Sequence, residues 1–189
     1  YSHEGQVAPA FRILAVTLPC PPAGPDPRSA RRDAELDPKS IRLATWNIHK
    51  EGDAGWEEDL RALAANSDIL LLQETTLEPA IRDILRATDL GWVMASSFLH
   101  AELDIGVLTA ARIAPLATCT QRVVEPLLRL PKSAVITWFA LRDRADTLAV
   151  VGNRSAIGEQ YVDLQPRRDG RPYLRDGSQI AMADTRTPL

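Results

Sequence analysis

Two polar side chains stand at the ends of apolar segments in this 189-residue chain. Asn47 closes Leu43-Ala44-Thr45-Trp46-Asn47, and Glu74 closes Leu70-Leu71-Leu72-Gln73-Glu74. If both segments are neighbouring strands that end together, an amide oxygen comes to lie beside a carboxylate. Hard oxygen donors of this kind suit Mg²⁺ or Mn²⁺, cations that keep several waters and share coordination with phosphate groups. The same residue types also serve as solvated turn residues, because Glu is seldom buried. His49 follows Asn47 closely but lacks an evident partner, and it reads as an exposed loop histidine.

The elements that must position the pair are legible as patterns. Ile41 to Trp46 alternates apolar and polar positions as a half-buried strand does, and Ile69 to Leu72 is the continuous apolar run of a strand covered on both faces. Between them Trp56, Leu60, Leu63 and Ala64 recur at helical spacing, with Asp53 the expected cap. Leu77, Ile81, Ile84 and Leu85 predict a second helix that ends at Asp89-Leu90-Gly91. Strands are then expected at Trp92 to Phe98, Ile105 to Thr109, Ala117 to Arg122, Ala134 to Leu141 and Thr147 to Val151. The fold class is therefore α/β, layered, with a strand-built middle.

Three regions follow from composition. Residues 1–40 read as a proline-rich arm or linker, because the prolines from Pro19 onward fix φ and remove amide donors. The folded domain is expected over 41–151, and 152–189 as a degenerate or disordered tail, rich in arginine and without clear period. A net charge of −3 and a sequence pI near 5.6 argue against a surface that attracts polyanions as a whole, while leaving room for a local basic patch. Cys20 and Cys119 lie far apart, without zinc-site spacing, and read as free thiols. Phe11 to Pro19 is apolar but broken by Arg12, and Leu18-Pro19-Cys20 lacks the small residues of a processing site. The cytoplasm is therefore the expected compartment, with export the alternative.

Ala44-Thr45-Trp46-Asn47-Ile48-His49-Lys50, followed by Leu70-Leu71-Leu72-Gln73-Glu74, resembles the opening motifs of the endonuclease/exonuclease/phosphatase superfamily, whose fold is that of DNase I. Asp104 to Thr109 is similar to the family strand after the metal-binding Glu, and Glu125 to Ala134 to a small uncharacterised bacterial subgroup. The resemblance implies a DNase I-like layered α/β sandwich, here cut to roughly its first half. It also implies an Mg²⁺- or Mn²⁺-dependent phosphoester hydrolase of the nuclease or phosphodiesterase class, with a phosphoester substrate and nucleic acid among the options. Glu74 would be the main metal carboxylate and Asn47 would help hold the metal and its waters. Arg129, Lys132 and Asn153 are the candidate phosphate contacts, and the first two read equally as surface charge.

The later family motifs are altered. Val150-Val151-Gly152-Asn153-Arg154-Ser155 resembles a strand ending in Asn-x-His, with one residue inserted and Ser155 where His would stand. A serine cannot take a proton as imidazole does near neutral pH. Ile180 to Thr187 overlies a Gly-Asp-x-Asn loop, keeping Asp184 as the candidate catalytic acid but placing Ala183 and Arg186 for Gly and Asn. The closing Ser-Asp-His has no counterpart. A weakly active or inactive hydrolase is expected, either a fragment or frame-disrupted form or a protein that has lost catalysis. The alternative is a non-catalytic binding remnant. A second consequence is that one face of the sheet is expected to lie uncovered.

Overall fold

The structure is a computed structural model, and it describes residues 11–15, 17–20, 34–124 and 131–153, with the backbone of 180–184. Its elements are β1 (Arg12–Ala15), β2 (Arg42–Asn47), α1 (Trp56–Asn66), β3 (Ile69–Thr76), α2 (Pro79–Ala87), β4 (Gly91–His100), β5 (Leu103–Ala111), β6 (Ala117–Val124), β7 (Pro131–Ala140), β8 (Thr147–Asn153) and β9 (Ile180–Asp184). Each of the predicted strands and helices is present within a few residues. The start of α1 differs: Gly55, at φ 85°, is the N-cap, and Asp53 contributes only its carbonyl, which accepts the Trp56 N–H. A left-handed cap costs Gly little, since it has no Cβ.

Two sheets form, a six-stranded one in the order β1-β4-β5-β3-β2-β9 and a three-stranded antiparallel one in the order β6-β7-β8. In β2 and β3 the alternation sorts the layers. Ala44, Trp46, Leu70 and Leu72 pack with Leu60, Ala64, Ile81 and Leu85 of the two helices. Leu43, Ile69 and Leu71 pack instead with Phe139 and Val150 of the smaller sheet. The order is thus helices, large sheet, small sheet, which is the layered α/β sandwich expected. The expectation of an uncovered sheet face is corrected here. β6, β7 and β8 build a facing sheet, so that Leu43, Thr45, Ile69 and Leu71 are all buried.

Gly106 is required where β5 crosses β4, because a Cβ there would collide with the Ala95 carbonyl. The arm expected over 1–40 also touches the core. β1 adds a parallel edge strand to β4, Phe11 lies over Gly91 where a Cβ would meet its ring, and Leu36 bridges to Leu141. The two cysteines are a correction: they form a disulfide, with Cα atoms 4.8 Å apart across a sequence separation of 99. Sequence spacing could not reveal it, because the arm must first fold back onto β6.

The starts of β2 and β3 are pinned by one carboxylate. Asp68 accepts from the Arg42 backbone N–H at 2.8 Å and from its guanidinium at 2.9 and 3.3 Å. Burial alone would raise the Asp68 carboxyl, but the Arg42 hydrogen bonds, with the charges of Arg42 and Arg112, hold it below its ordinary 3.8. A depressed carboxylate contributes stability that is present above its unfolded pKa and lost as pH falls through the folded one. Asp68→Asn should therefore lose stability at neutral pH and show a flatter acid limb than the parent. Urea midpoints taken from about pH 6 down to about pH 2.5 check this, and parallel acid limbs in the two proteins would contradict it.

Candidate functional site

β2 and β3 are parallel neighbours with Asn47 paired to Gln73, so the two strands end together and Glu74 follows directly. Gln73 shares the Asn47 face, toward the small sheet, and its Nε2 donates to Thr45 Oγ1 at 2.7 Å. Its Oε1 is buried without a hydrogen-bond donor among the described residues. Simple alternation would turn Glu74 toward the helices. Instead Glu74 sits at φ 51°, where the β3–β5 register shifts between Gln73 and Thr75. A bulge of this kind re-aims one side chain and bends the strand. The Glu74 side chain is 18% exposed, and Lys50 Nζ lies 3.0 Å from its Oε2.

The chain leaving β2 is unusual. His49, Lys50 and Glu51 follow one another at φ 53°, 56° and 57°. Each non-glycine residue held there costs about 1–3 kcal/mol unless its surroundings enforce it. The enforcement is visible. The His49 N–H donates to Asn47 Oδ1 at 3.1 Å, and Ile48 N–H to the Gln73 carbonyl at 3.0 Å. Glu51 accepts from Thr75 Oγ1 at 3.0 Å, from Thr76 N–H at 2.9 Å and from Thr76 Oγ1 at 2.6 Å. Burial pushes the Glu51 carboxyl above its ordinary range, against the lowering effect of the Thr76 and Thr75 hydrogen bonds. Lys50 and Glu51 are thus the residues that motif reading left without a role. Residue type alone gave no signal for them, because their partners, the hydroxyls of Thr75 and Thr76, come from a strand far along the chain.

The remaining candidates are placed as follows. His49 is exposed, with Nδ1 4.0 Å from Asp53 Oδ1. Lys132 and Asn153 lie at the same end of the molecule as Asn47 and Glu74, because neighbouring Ser133 hydrogen-bonds the Ala95 carbonyl and Ala134 pairs with Asn153. Their side chains take the outer face of the small sheet, since Ser133, Val135, Val150 and Gly152 take the inner one. Arg129 and Ser155 fall outside the described residues. For Asp184 the backbone register gives the position. It pairs with Arg42, at the start of β2, five residues from Asn47 and so about 17 Å away at ~3.3 Å per residue. Backbone pairing alone separates it from the Asn47–Glu74 end. Among the described residues no three His, Cys, Asp or Glu side chains cluster as a metal site, and no helix is long and apolar enough to cross a membrane.

The fold and this strand-end constellation define a class: a two-sheet α/β sandwich with an amide and a carboxylate side by side at one end. Among solved structures, it is similar to an endonuclease/exonuclease/phosphatase family protein from Leptotrichia buccalis, with TM-score 0.49 and 14% identity over 59% of this chain and 52% of that one. It is likewise similar to the human Nocturnin catalytic domain, with TM-score 0.48 and 16% identity over 66% and 54%. No protein-family model matches the chain. Curated relatives are UPF0294 proteins. One from Vibrio cholerae is 34% identical over 123 residues, 64% of this chain and 42% of that protein. One from Klebsiella pneumoniae is 32% identical over 178 residues, 92% of this chain and 62% of that protein. These are small bacterial proteins of the kind the Glu125 to Ala134 block suggested, and the chain spans about two fifths of the length of the Vibrio relative.

Proposed function

We propose that Asn47 and Glu74 form one side of the metal site of a phosphoester hydrolase of the endonuclease/exonuclease/phosphatase superfamily. The observation that supports this most is the cation already seated on Glu74. Lys50 Nζ stands 3.0 Å from the carboxylate, which a bulge turns out of the strand alternation. Backbone held in such rare conformations on both sides of one carboxylate motivates a functional reading.

The donor set fits Mg²⁺ or Mn²⁺: one carboxylate and one amide, both only partly exposed, with no thiolate or imidazole among them. Glu74 would carry the charge of the site, and Asn47, held by the His49 N–H on one lone pair, would offer the other. Glu51 keeps the turn in place and so positions both. A bound metal would polarise the phosphoryl oxygen and stabilise the leaving group. The substrate class is a phosphodiester or phosphomonoester, nucleic acid included. A second reading, a fold that binds a cation without turning over substrate, is favoured by the register that sets Asp184 at the far end of the sheet. For the compartment we infer an oxidising one, the exported alternative, because a disulfide such as Cys20–Cys119 does not persist against cytosolic thiol reductants.

Thermal melts test the metal site under either reading. With Mg²⁺ or Mn²⁺ at about 100 times its Kd, the folded state gains about 2.7 kcal/mol, a Tm rise of roughly 5–10 °C for a chain of this size. Glu74→Gln should abolish the rise and Lys50→Met should keep it. No rise in the parent, or an equal rise in Glu74→Gln, would end the assignment.

A further inference from the structure

We propose that residues 11–15 and 17–20 form a latch closed by oxidation of Cys20 and Cys119, covering the open edges of both sheets while the rest of the sandwich folds without it. The path of the arm carries the inference. β1 runs up the outer edge of β4 in four paired positions, from Arg12↔Trp92 to Ala15↔Ala95. The arm then crosses to the other sheet, where Leu18 bridges antiparallel to Thr120 of the edge strand β6, its N–H donating to the Thr120 carbonyl at 3.0 Å. Cys20 reaches Cys119 immediately beyond. One short segment thereby satisfies two sheet edges that would otherwise offer unpaired backbone groups to other chains.

What holds the arm besides the disulfide is slight. β1 is bonded on one side only and its burial alternates between half-buried and exposed, with Leu14 44% exposed. Phe11 and Ile13 pack only partly against the core, and among the described residues one hydrogen bond holds the arm beyond Leu18, from Gln121 Nε2 to Cys20 Sγ at 3.2 Å. Ordering that many residues costs backbone entropy at each one, which so few contacts return poorly. The covalent bond ties the end of the arm to β6 and so lowers the entropy cost of docking it. The helices bury their apolar faces in a separate cluster that does not include the arm, and β2, β3 and β5 meet the arm only through the clusters at whose margins Phe11 and Ile13 pack.

The chemistry balances by thiol–disulfide exchange with an external disulfide oxidant. The half-exposed Cys20, as thiolate, attacks one oxidant sulfur, giving a mixed disulfide and one released thiol. The Cys119 thiolate then attacks Cys20 Sγ, forming the internal bond and releasing the second thiol. Two electrons and two protons pass to the oxidant. A dithiol reductant reverses both steps, and Cys119, fully buried, is the internal leaving group.

Hydrogen exchange on the full chain, oxidised and after a phosphine reductant, tests the latch, with Cys20→Ser as the variant that spares the buried cysteine. The Trp92 amide, which donates to the Phe11 carbonyl, and the Leu18 amide report on the arm. Leu71, in the centre of the large sheet, reports on the sandwich. At least tenfold faster exchange at Trp92 and Leu18 in the reduced protein and in Cys20→Ser, with Leu71 unchanged, is the expected result. Equal protection of the arm in both states overturns the latch. So does loss of protection at Leu71 as well, which would make the disulfide a staple for the whole fold, or two titratable thiols in the denatured oxidised protein.

Discussion

Replacing Glu74 with Ala is expected to lower hydrolysis of bis-p-nitrophenyl phosphate, in Mg²⁺ or Mn²⁺, by at least about 10²–10³-fold, the scale set by deleting one group that stabilises transition-state charge. The size of the effect follows from the site. Glu74 is the one carboxylate that the bulge aims away from the regular strand direction beside Asn47, and no three His, Cys, Asp or Glu side chains cluster as a metal site among the described residues. Glu74→Gln should fail in the same way, since it keeps the shape and removes the charge. Asn47→Ala should cost less, because a neutral amide contributes less to holding a divalent ion than a carboxylate does. Equal rates in Glu74→Ala and the parent would remove Glu74 from the chemistry. A parent without turnover whose melting temperature still rises with metal would establish the cation-binding fold without catalysis.

The second large effect is on stability and lies away from this site. Arg112, just after β5, donates from Nε to the Ser67 carbonyl at 3.0 Å and from one terminal nitrogen to the Thr88 carbonyl at 3.0 Å. Its other terminal nitrogen reaches the carbonyls of Ala64 at 2.9 Å and Ala65 at 2.8 Å. These are the unsatisfied carbonyls at the C-terminal ends of α1 and α2, where the helix dipoles are negative and a cation is favoured. One guanidinium therefore closes both helices onto the sheet.

Hydrogen bonds to a charged partner contribute about 1.5–3 kcal/mol each when buried, and partial exposure reduces the sum here. Arg112→Met should cost about 3 kcal/mol, or roughly 6–12 °C in Tm. Arg112→Lys should recover less than half, because a point charge cannot span two helix ends as a planar fork does. The same variants should leave the metal-induced shift of the remaining folded protein intact, which separates this role from that of Glu74. A midpoint for Arg112→Met within 1 °C of the parent would contradict the argument.

The order of strands and helices, the apolar faces of α1 and α2, and the strand-end positions of Asn47 and Glu74 were all determined by the sequence alone, because periodicity and strand-end position are local properties. Ile69 to Leu72 could be read as doubly covered since four consecutive apolar residues leave no solvent face, and the structure gives it one layer on each side. What no local pattern contains is long-range pairing. The facing sheet arises because β7 pairs with both β6 and β8 and folds over β4 and β5. The disulfide arises because the arm turns back to β6, and Asp184 lies far from Asn47 because β9 runs antiparallel to β2. The roles of Lys50 and Glu51 also waited for the fold. Three successive left-handed residues carry no signature in residue type, and they are enforced only once Thr75 and Thr76 of a strand some 24 residues later supply the partners. The sequence thus set which polar residues close the two strands, and the tertiary structure alone decided which groups come within reach of them.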